Sequence, residues 1–417
     1  SRRIGKAPSG SPSLNSGEYY KSPQFTKIIG AAKFSGKTEN GWSIGVLESV
    51  TANEYANISD GENTTRREKV EPLTNYLVTR IQKDFNDNNT FVGGILTSTN
   101  RSELPDNLNF LHKSATTAGI DFKHQWNNKN YYFEGKFIGS NVKGSEESIY
   151  RTQTSITHLF QRADATHIEA DPTKTSLTGT GGVFMIGKQG GGNWRYNAGF
   201  IWRSPELELN DVGFLRKTDE LVQFSEILYL WQIPTEIYRN MEVSFEQSTR
   251  YDFGGNLNRS KFEIQGNVSW QNNWNTSLGF GVNNQKYDNY FLRGGPRWHF
   301  PDDRYLYTSI STDRSKKISF SLRYVQVHTD EEVFKRNKYS AGINYQPFDS
   351  FSMSIDTEFE KRINKNQYIT TLDFANDKRY ILGEIDNQNW STTLRLNYSL
   401  NPNFSIQFYG QPFIARG

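Results

Sequence analysis

Residues 261–270 read KFEIQGNVSW and alternate between apolar or small side chains and polar ones. Successive side chains of a β-strand point to opposite faces, so this alternation predicts a strand with one apolar and one polar face. The apolar face carries Phe262, Ile264, Gly266, Val268 and Trp270, and the polar face carries Glu263, Gln265, Asn267 and Ser269. A tilted strand needs about 9 to 11 residues to cross a bilayer, which this segment supplies.

The same alternation recurs in residues 318–324, 351–360, 390–400 and 404–408. No window holds a helical period for more than about three turns. The sequence therefore predicts a chain that is nearly all β.

Composition fits strands in a membrane better than helices. The 417 residues are 35% hydrophobic and 14% aromatic, with a mean hydropathy of -0.73, and no run approaches the ~18 apolar residues of a transmembrane helix. Cysteine is absent, which excludes disulfides, thiolate metal sites and cysteine nucleophiles. The 48 basic and 45 acidic residues are interleaved and give a net charge of +3, so no nucleic-acid partner is expected.

The connections between alternating segments are of two kinds. Short ones, rich in turn-forming residues, lie at 38–41, 87–89, 127–130, 190–193, 234–236, 271–273, 347–350 and 401–403. Longer polar ones lie at 52–72, 101–113, 141–174, 206–221, 287–303 and 329–336. Short periplasmic turns opposite long extracellular loops are typical of outer-membrane barrels.

The predicted fold is therefore all-β: a transmembrane, antiparallel, up-and-down outer-membrane β-barrel of about 20 strands, with a range of roughly 18 to 22. A soluble β-sandwich is the alternative, but it rarely needs so many strands. Aromatic residues near the strand ends predict two membrane-interface girdles, formed by Trp42, Tyr76, Phe91, Tyr131, Trp194, Trp231, Tyr238, Trp270, Trp274, Tyr305 and Trp390.

Several short segments occur in a distinctive order: SRRIG at 1–5, IIGAAKFSG at 28–36, GWSIGVL at 41–47, GGILTSTNR at 93–101, RSP at 203–205, LNDVGFLR at 209–216, RGGP at 293–296 and QPF at 411–413. Together they resemble a family of uncharacterised bacterial outer-membrane β-barrel proteins. Members usually carry an N-terminal periplasmic β-sandwich similar to family 9 carbohydrate-binding modules. The resemblance spans essentially the whole chain and implies the outer membrane of a Gram-negative bacterium and a connection with glycans.

That sandwich is not among these residues, so we expect the sequence to be a piece of a longer protein. Residues 1–417 would form a single barrel domain, and closing the barrel would need at least one further strand, since an open sheet edge leaves backbone groups unpaired in lipid.

Charged residues on the polar faces are candidates to line the lumen. They either border an aqueous path or pair across strands into ladders. The candidates are Arg80, Asp84, Glu134, Lys136, Arg195, Arg203, Glu242, Glu246, Glu263, Arg323, Asp356, Glu358, Glu360 and Arg395. Asp356, Glu358 and Glu360 share one strand face, but their spacing of about 7 Å is too wide for joint metal ligation.

The long connection 141–174 is predicted to fold inward as a plug or constriction, or else to be a flexible surface loop. No catalytic, cofactor or metal site is predicted. The six histidines, His112, His124, His158, His167, His299 and His328, show no metal-ligand or nucleophile spacing. The glycine runs 190–192 and 293–296 predict a hairpin turn and close backbone packing.

Two functions follow from these patterns. The first is a passive or gated channel for polar solutes, with outer-membrane lipid as its surroundings and with a connection to glycans that only the family resemblance implies. The second is a plugged structural or assembly barrel that docks unidentified protein partners. An outer-membrane hydrolase is a third class, suggested only by the type of domain that the family carries, and no acid, base or nucleophile spacing supports it.

Overall fold

The computed structural model describes residues 4–375 and 377–417. This part of the chain contains 22 strands, one α-helix and two short 3-10 helices, which confirms the predicted all-β class. None of the helices in the described ranges combines the length and apolar character needed to span a membrane.

Nineteen strands of the described residues belong to one closed barrel sheet. They are β2 (Ile28–Lys37), β3 (Trp42–Thr51), β6 (Thr74–Phe85), β7 (Thr90–Arg101), β8 (Ser114–Trp126), β9 (Tyr131–Lys143), β10 (Ser176–Lys188), β11 (Trp194–Arg203), β12 (Glu220–Trp231), β13 (Tyr238–Tyr251), β14 (Leu257–Trp270), β15 (Asn275–Gln285), β16 (Asp303–Ser311), β17 (Ile318–Thr329), β18 (Phe334–Phe348), β19 (Phe351–Phe374), β20 (Asp377–Asn401), β21 (Phe404–Gly410) and β22 (Phe413–Arg416).

The last two barrel strands occupy one position in the sheet. β21 pairs with β20 between Leu394 and Asn401, and β22 pairs with β20 between Gln388 and Ser391. Pro412 separates them because it has no N–H to donate to a ladder. The described strands thus fill eighteen positions of the closed sheet, within the predicted range. Closure without a further strand corrects the expectation that one is needed.

A smaller sheet replaces the polar loop predicted at 52–72. Its strands are β1 (Tyr19–Lys21), β4 (Glu54–Ser59) and β5 (Thr64–Glu71), in the order β1-β4-β5. Ala56, Ile58 and Val70 are fully buried there, as is Leu108 of the 3-10 helix Asp106–Leu108. The loop prediction failed because five of the eight residues of β5 are charged, four of them in the unbroken run Arg66–Lys69, and this run hides the alternation of a strand. The second 3-10 helix is Asp330–Glu332, and the α-helix α1 is Glu146–Gln153.

The chain divides into two compact units. The first contains the residues up to Gly187 together with Gly199–Val222 and Tyr251–Asn256, and the second contains Lys188–Ala198, Gln223–Arg250 and Leu257–Gly417. The first holds the small sheet, β2, β3, β6 to β9 and α1. The second holds β14 to β22.

Burial along the strands is the reverse of that in a soluble protein. In β14, Phe262 is 41% exposed and Ile264 is 51% exposed, whereas Glu263 between them is only 9% exposed. Leu278 and Leu322 are each 57% exposed. Apolar side chains on the outer surface and polar ones inside are the arrangement of a barrel surrounded by lipid. We call the polar side of the sheet the interior face.

Strands β19 and β20 are much longer than a membrane crossing requires. They have 24 and 25 residues, against the ~10 of a membrane strand, and they pair almost to their tip, at Phe374 and Asp377. This resolves the hairpin between Tyr368 and Glu384, whose boundaries the sequence left ambiguous. β18 pairs with β19 only as far as Asn364.

The predicted aromatic girdles need two corrections. Trp42, Trp194, Trp274 and Trp390 are exposed, as residues in a girdle are. Tyr76, however, is 4% exposed and shares its strand face with Arg80. Tyr305 also points to the interior face, where its hydroxyl donates to Glu263. A position near a strand end does not by itself fix which face a ring occupies.

Candidate functional site

The interior face of the first unit carries charges paired across strands. Arg80 Nη2 of β6 donates to Asp121 Oδ2 of β8 at 2.7 Å. The pair reaches across β7 at Gly93, where a Cβ would lie 2.4 Å from Arg80 Nη2. Lys136 Nζ lies 2.6 Å from Glu134 Oε1. Glu134 and Lys136 lie on the same strand, so of these two pairs Arg80 with Asp121 is the one that joins different strands, and a role in a charge ladder stays a prediction.

Arg203 extends the paired charges to β11 and β12. Its Nη1 donates to Glu220 Oε2 at 2.7 Å. At the opposite end of β11, Arg195 donates to the backbone oxygens of Gly192 and Trp194, both at 2.9 Å. Gly191 and Gly192 adopt positive φ values of 68° and 67°, which confirms the predicted hairpin turn. Arg195 therefore contacts the turn and has no carboxylate partner within the described ranges.

Glu263 is the centre of a hydrogen-bond network on the interior face of the second unit. It accepts hydrogen bonds from Tyr305 at 2.5 Å and Tyr307 at 2.8 Å, and Lys261 Nζ lies 2.5 Å from it. The two tyrosine rings cover Gly281 and Gly279 of the intervening strand, where a Cβ would lie 2.2 and 2.1 Å from the ring carbons. These glycines let the hydroxyls reach a carboxylate two strands away.

The acidic residues of β19 each have a cationic neighbour. Glu358 lies 2.8 Å from Lys338, Glu360 lies 2.7 Å from Arg336, and Asp356 lies 3.8 Å from Arg395. Their charge is therefore balanced by side chains of adjacent strands.

The remaining lumen candidates are also on the interior face. Glu242 accepts from Asn267 Nδ2 at 2.8 Å, Glu246 lies 3.3 Å from Lys261 and Asp84 lies 3.1 Å from Lys37. Arg323 is exposed and lines a cavity of about 520 Å³ with Asp356 and Glu358. The structure thus assembles the charged set, and its role in selectivity stays a prediction.

The segment 144–175, which corresponds to the predicted plug region 141–174, is a packed element. Ile149, Phe160 and Ile168 are buried against Ala115, Val142 and Leu177 of β8, β9 and β10. Val142 shares its strand face with Glu134 and Lys136. The segment therefore packs on the interior face of the sheet.

Polar contacts hold this segment together. Ser145 caps α1 by accepting from the Ser148 N–H at 3.1 Å, and its Oγ donates to the Asn109 oxygen at 2.7 Å. Gln153 is fully buried. Its amide donates to the Asp171 backbone oxygen at 2.9 Å and accepts from the Asp171 N–H at 2.8 Å, which closes the segment into a ring.

A cluster of Arg101, His112, Thr152 and Asp211 joins this segment to the connection 204–219. His112 Nδ1 lies 2.8 Å from Asp211 Oδ2, and Nε2 lies 2.7 Å from Thr152 Oγ1. Arg101 Nη1 lies 2.7 Å from Asp211 Oδ1. Contacts with His112 and Arg101 hold the pKa of Asp211 well below its usual range despite burial.

A hydroxyl, an imidazole and a carboxylate in series are also the order found in nucleophilic catalysis. Here the Thr152 hydroxyl also donates to the Ser148 oxygen of its own helix at 3.0 Å. One hydroxyl proton serves one acceptor at a time, and Thr152 is 9% exposed. We interpret the arrangement as a structural junction between the two connections.

His158 lies deeper in the same region, beside Glu208. Its Nε2 lies 3.1 Å from the Leu207 oxygen and 3.8 Å from Glu208 Oε2. Burial lowers the pKa of His158 from 6.5 to about 4 and raises the pKa of Glu208. His158 is therefore neutral at pH 7.

His167, Asp219 and Asp252 offer ligand atoms that all lie within 4.8 Å of one another. The sequence predicted no metal site here. Asp219 already accepts from His167 Nε2 at 2.9 Å and the Phe253 N–H at 2.9 Å, and it pairs with Arg162 at 3.2 Å. Because a buried arginine balances its charge, we interpret this group as a clamp between connections.

No sequence pattern predicted that Arg101, Thr152, Glu208, Asp211 and Asp219 belong to these clusters. Cluster partners such as Arg101, Thr152 and Asp211 are far apart in the sequence, so no spacing reveals that they meet. The available signals were the runs GGILTSTNR at 93–101, which ends at Arg101, and LNDVGFLR at 209–216, which contains Asp211, and neither carries recognisable chemistry.

Comparison with family models gives a match over residues 1–416 to the domain of unknown function DUF5916. The chain belongs to this family. The DUF5916 match agrees with the predicted resemblance to an uncharacterised family. Comparison with curated proteins gives no match.

Solved structures similar to this DUF5916 chain include a BenF-like porin from Pseudomonas fluorescens, at 9% identity and a TM-score of 0.42, covering 91% of this chain and 95% of that one. Pseudomonas aeruginosa OccK9 gives 8% identity and 0.39, covering 90% and 93%. An anion-selective porin from Comamonas acidovorans gives 10% and 0.35, covering 94% and 100%. Because these identities and TM-scores are low, we infer the function from the strands and side chains of this chain.

Proposed function

We propose that this protein is a channel of the bacterial outer membrane that passes polar solutes along the interior face of its barrel. The observation that carries the proposal is the reversed burial pattern, with Phe262 and Ile264 outside and Glu263 inside. A lipid-facing apolar surface around a charged interior is the general design of a porin. The link to glycans rests only on the family resemblance.

The paired charges define what such a path would present to a solute. Alternating cations and carboxylates, as in Lys338 with Glu358 and Arg336 with Glu360, suit neutral polar or zwitterionic solutes, since neither sign dominates. We assign segment 144–175 the role of constriction, because it packs on the interior face at the end of β8, β9 and β10.

A plugged structural barrel is the second candidate. The observation that favours it is the dense packing of 144–175, whose Ile149 and Gln153 are fully buried. In this case the long β19–β20 hairpin would dock a protein partner, and the barrel would serve as its anchor.

Single-channel recording in planar bilayers at high salt separates the two. We expect stable nanosiemens-scale steps from the protein, and larger steps when 145–174 is replaced by a short Gly-Ser linker. Steps from the linker variant alone would identify a plug. A silent protein and a silent variant, both folded, would reject the channel.

A second test uses the absence of native cysteine. Ser340 of β18 is on the interior face, and Ile343 of the same strand points outward and is 42% exposed. In liposomes, a charged, water-soluble thiol reagent should modify Ser340→Cys and spare Ile343→Cys, because only the interior is wet. Equal protection of both positions would contradict an aqueous path.

A further inference from the structure

A cavity of about 310 Å³ lies beside the cluster of Arg101, His112, Thr152 and Asp211. Its lining includes Lys6 and Arg151 in addition to this cluster, and Phe110 and Leu111 supply apolar wall. A volume near 300 Å³ with a few convergent polar groups is typical of a small-molecule site. All of these residues belong to the first compact unit.

Positive charge exceeds negative charge around this cavity. Lys6 and Arg151 are exposed and have no acidic partner in the described part of the chain, although the Arg151 guanidinium stacks 4.6 Å from the centre of the Phe110 ring. Asp211 is neutralised by Arg101. Glu208, the other lining carboxyl, is buried, and burial raises its pKa, which favours its neutral form.

The Arg101 guanidinium has an N–H group that donates no hydrogen bond within the described residues. Its Nη1 contacts Asp211 and the His112 oxygen, both at 2.7 Å. Its Nε is buried without an acceptor in the described part of the chain, and its side chain is only 8% exposed. A buried donor without a partner is unfavourable. The edge of a guanidinium that includes Nε can donate two parallel hydrogen bonds to a carboxylate.

We propose that this cavity binds a small organic carboxylate, with Arg101, Lys6 and Arg151 contacting the anionic group and Phe110 and Leu111 contacting its apolar part. The biological role of this site rests on the proposed channel function. The inference goes beyond that function, because the paired charges along the interior face favour neither sign, whereas this site would select anionic solutes. The apolar wall distinguishes this ligand from inorganic anions, which gain nothing from it.

The test is calorimetric titration of the full chain in detergent micelles with sodium benzoate at low ionic strength. We expect saturable binding that weakens as salt is added. Lys6→Gln with Arg151→Gln should raise the Kd by about tenfold or more, because two charge-assisted contacts are lost. The matched control is Arg216→Gln, which removes an exposed cation outside the cavity and should leave the Kd unchanged.

Three results would overturn the inference: no saturable benzoate binding, an unchanged Kd in the double variant, or tighter binding of inorganic phosphate than of benzoate. The two substituted residues are exposed, so folding should survive, and Arg151→Gln alone repeats the test if the double variant does not fold. Binding in micelles requires no conductance. A silent barrel that binds benzoate rejects only the channel, and a conducting barrel that does not bind it rejects only this site.

Discussion

Gly281 and Tyr305 illustrate how single residues on the interior face depend on one another. A Cβ on Gly281 would lie 2.2 Å from the Tyr305 ring, so Gly281→Ala must displace the ring and its hydrogen bond to Glu263. We expect a loss of about 1 to 3 kcal/mol in the free energy of unfolding, as for other overpacked sites. Gly266→Ala is the matched control, because its nearest neighbours lie at 3.9 and 4.0 Å. Urea unfolding in micelles measures both, and equal stabilities would contradict this dependence.

His158 makes the packing of 144–175 depend on pH. The unfolded segment takes up a proton near pH 6.5, whereas burial delays protonation of folded His158 to about pH 4 because it lowers the pKa. The segment is therefore fully stabilised above pH 6.5 and loses up to about 3 kcal/mol as the pH falls toward 4. Glu208 has the opposite effect on the stability of the segment. Because burial raises its pKa, Glu208 destabilises the folded segment as the pH rises.

We expect the amides of α1 to exchange hydrogen faster at pH 4.5 than at pH 7, after correction for the intrinsic rates. His158→Gln cannot be protonated, so it should abolish this acceleration, whereas His328→Gln on β17 should retain it. If the acceleration persists in His158→Gln, another group is responsible.

At the scale of elements, the Gln153 side chain stabilises 144–175 as a packed element. Gln153→Leu removes two hydrogen bonds to the Asp171 backbone and leaves both backbone groups without a side-chain partner. Each such loss costs about 1 to 3 kcal/mol. Limited proteolysis should therefore cut this segment faster in Gln153→Leu than in the native chain. Glu147→Gln, an exposed change in the same helix, should match the native rate. Equal rates in all three proteins would show that the ring of contacts is not needed.

The elements differ in how well the sequence predicted them. Strands such as β14 and β17 were predictable because one face meets lipid and the other meets polar groups, which forces a period of two. β5 was not predictable, since it belongs to the small three-stranded sheet and carries the unbroken charged run Arg66–Lys69, which hides a period of two. The cavity beside His112 was also hidden, because its residues come from separate parts of the chain between Lys6 and Asp211.

At the scale of the whole molecule, the closed sheet removes every lateral edge within the strands it joins. An edge in lipid would leave N–H and C=O groups without partners, at a cost of several kcal/mol each. Because closure pairs these backbone groups, the side chains determine whether the barrel is stable in lipid. The exposed apolar residues of its outer surface then become a testable requirement for membrane insertion.

Ser321 and Leu322 are adjacent on β17 and test this requirement directly. Leu322 points outward and is 57% exposed, so Leu322→Arg places a charge in the apolar belt and should cost up to about 2 to 4 kcal/mol of folding free energy in lipid. Ser321→Arg places its charge on the interior face, near Asp356. Gly342 lies between Ser321 and Asp356, and a Cβ at Gly342 would lie 2.8 Å from Asp356. This variant should fold normally. Refolding into lipid vesicles, followed by resistance to heated detergent on gels, measures the yield. Because the two substitutions share composition and strand, a lower yield for Leu322→Arg alone identifies lipid contact as the cause, and equal yields would contradict the assignment of the outer face.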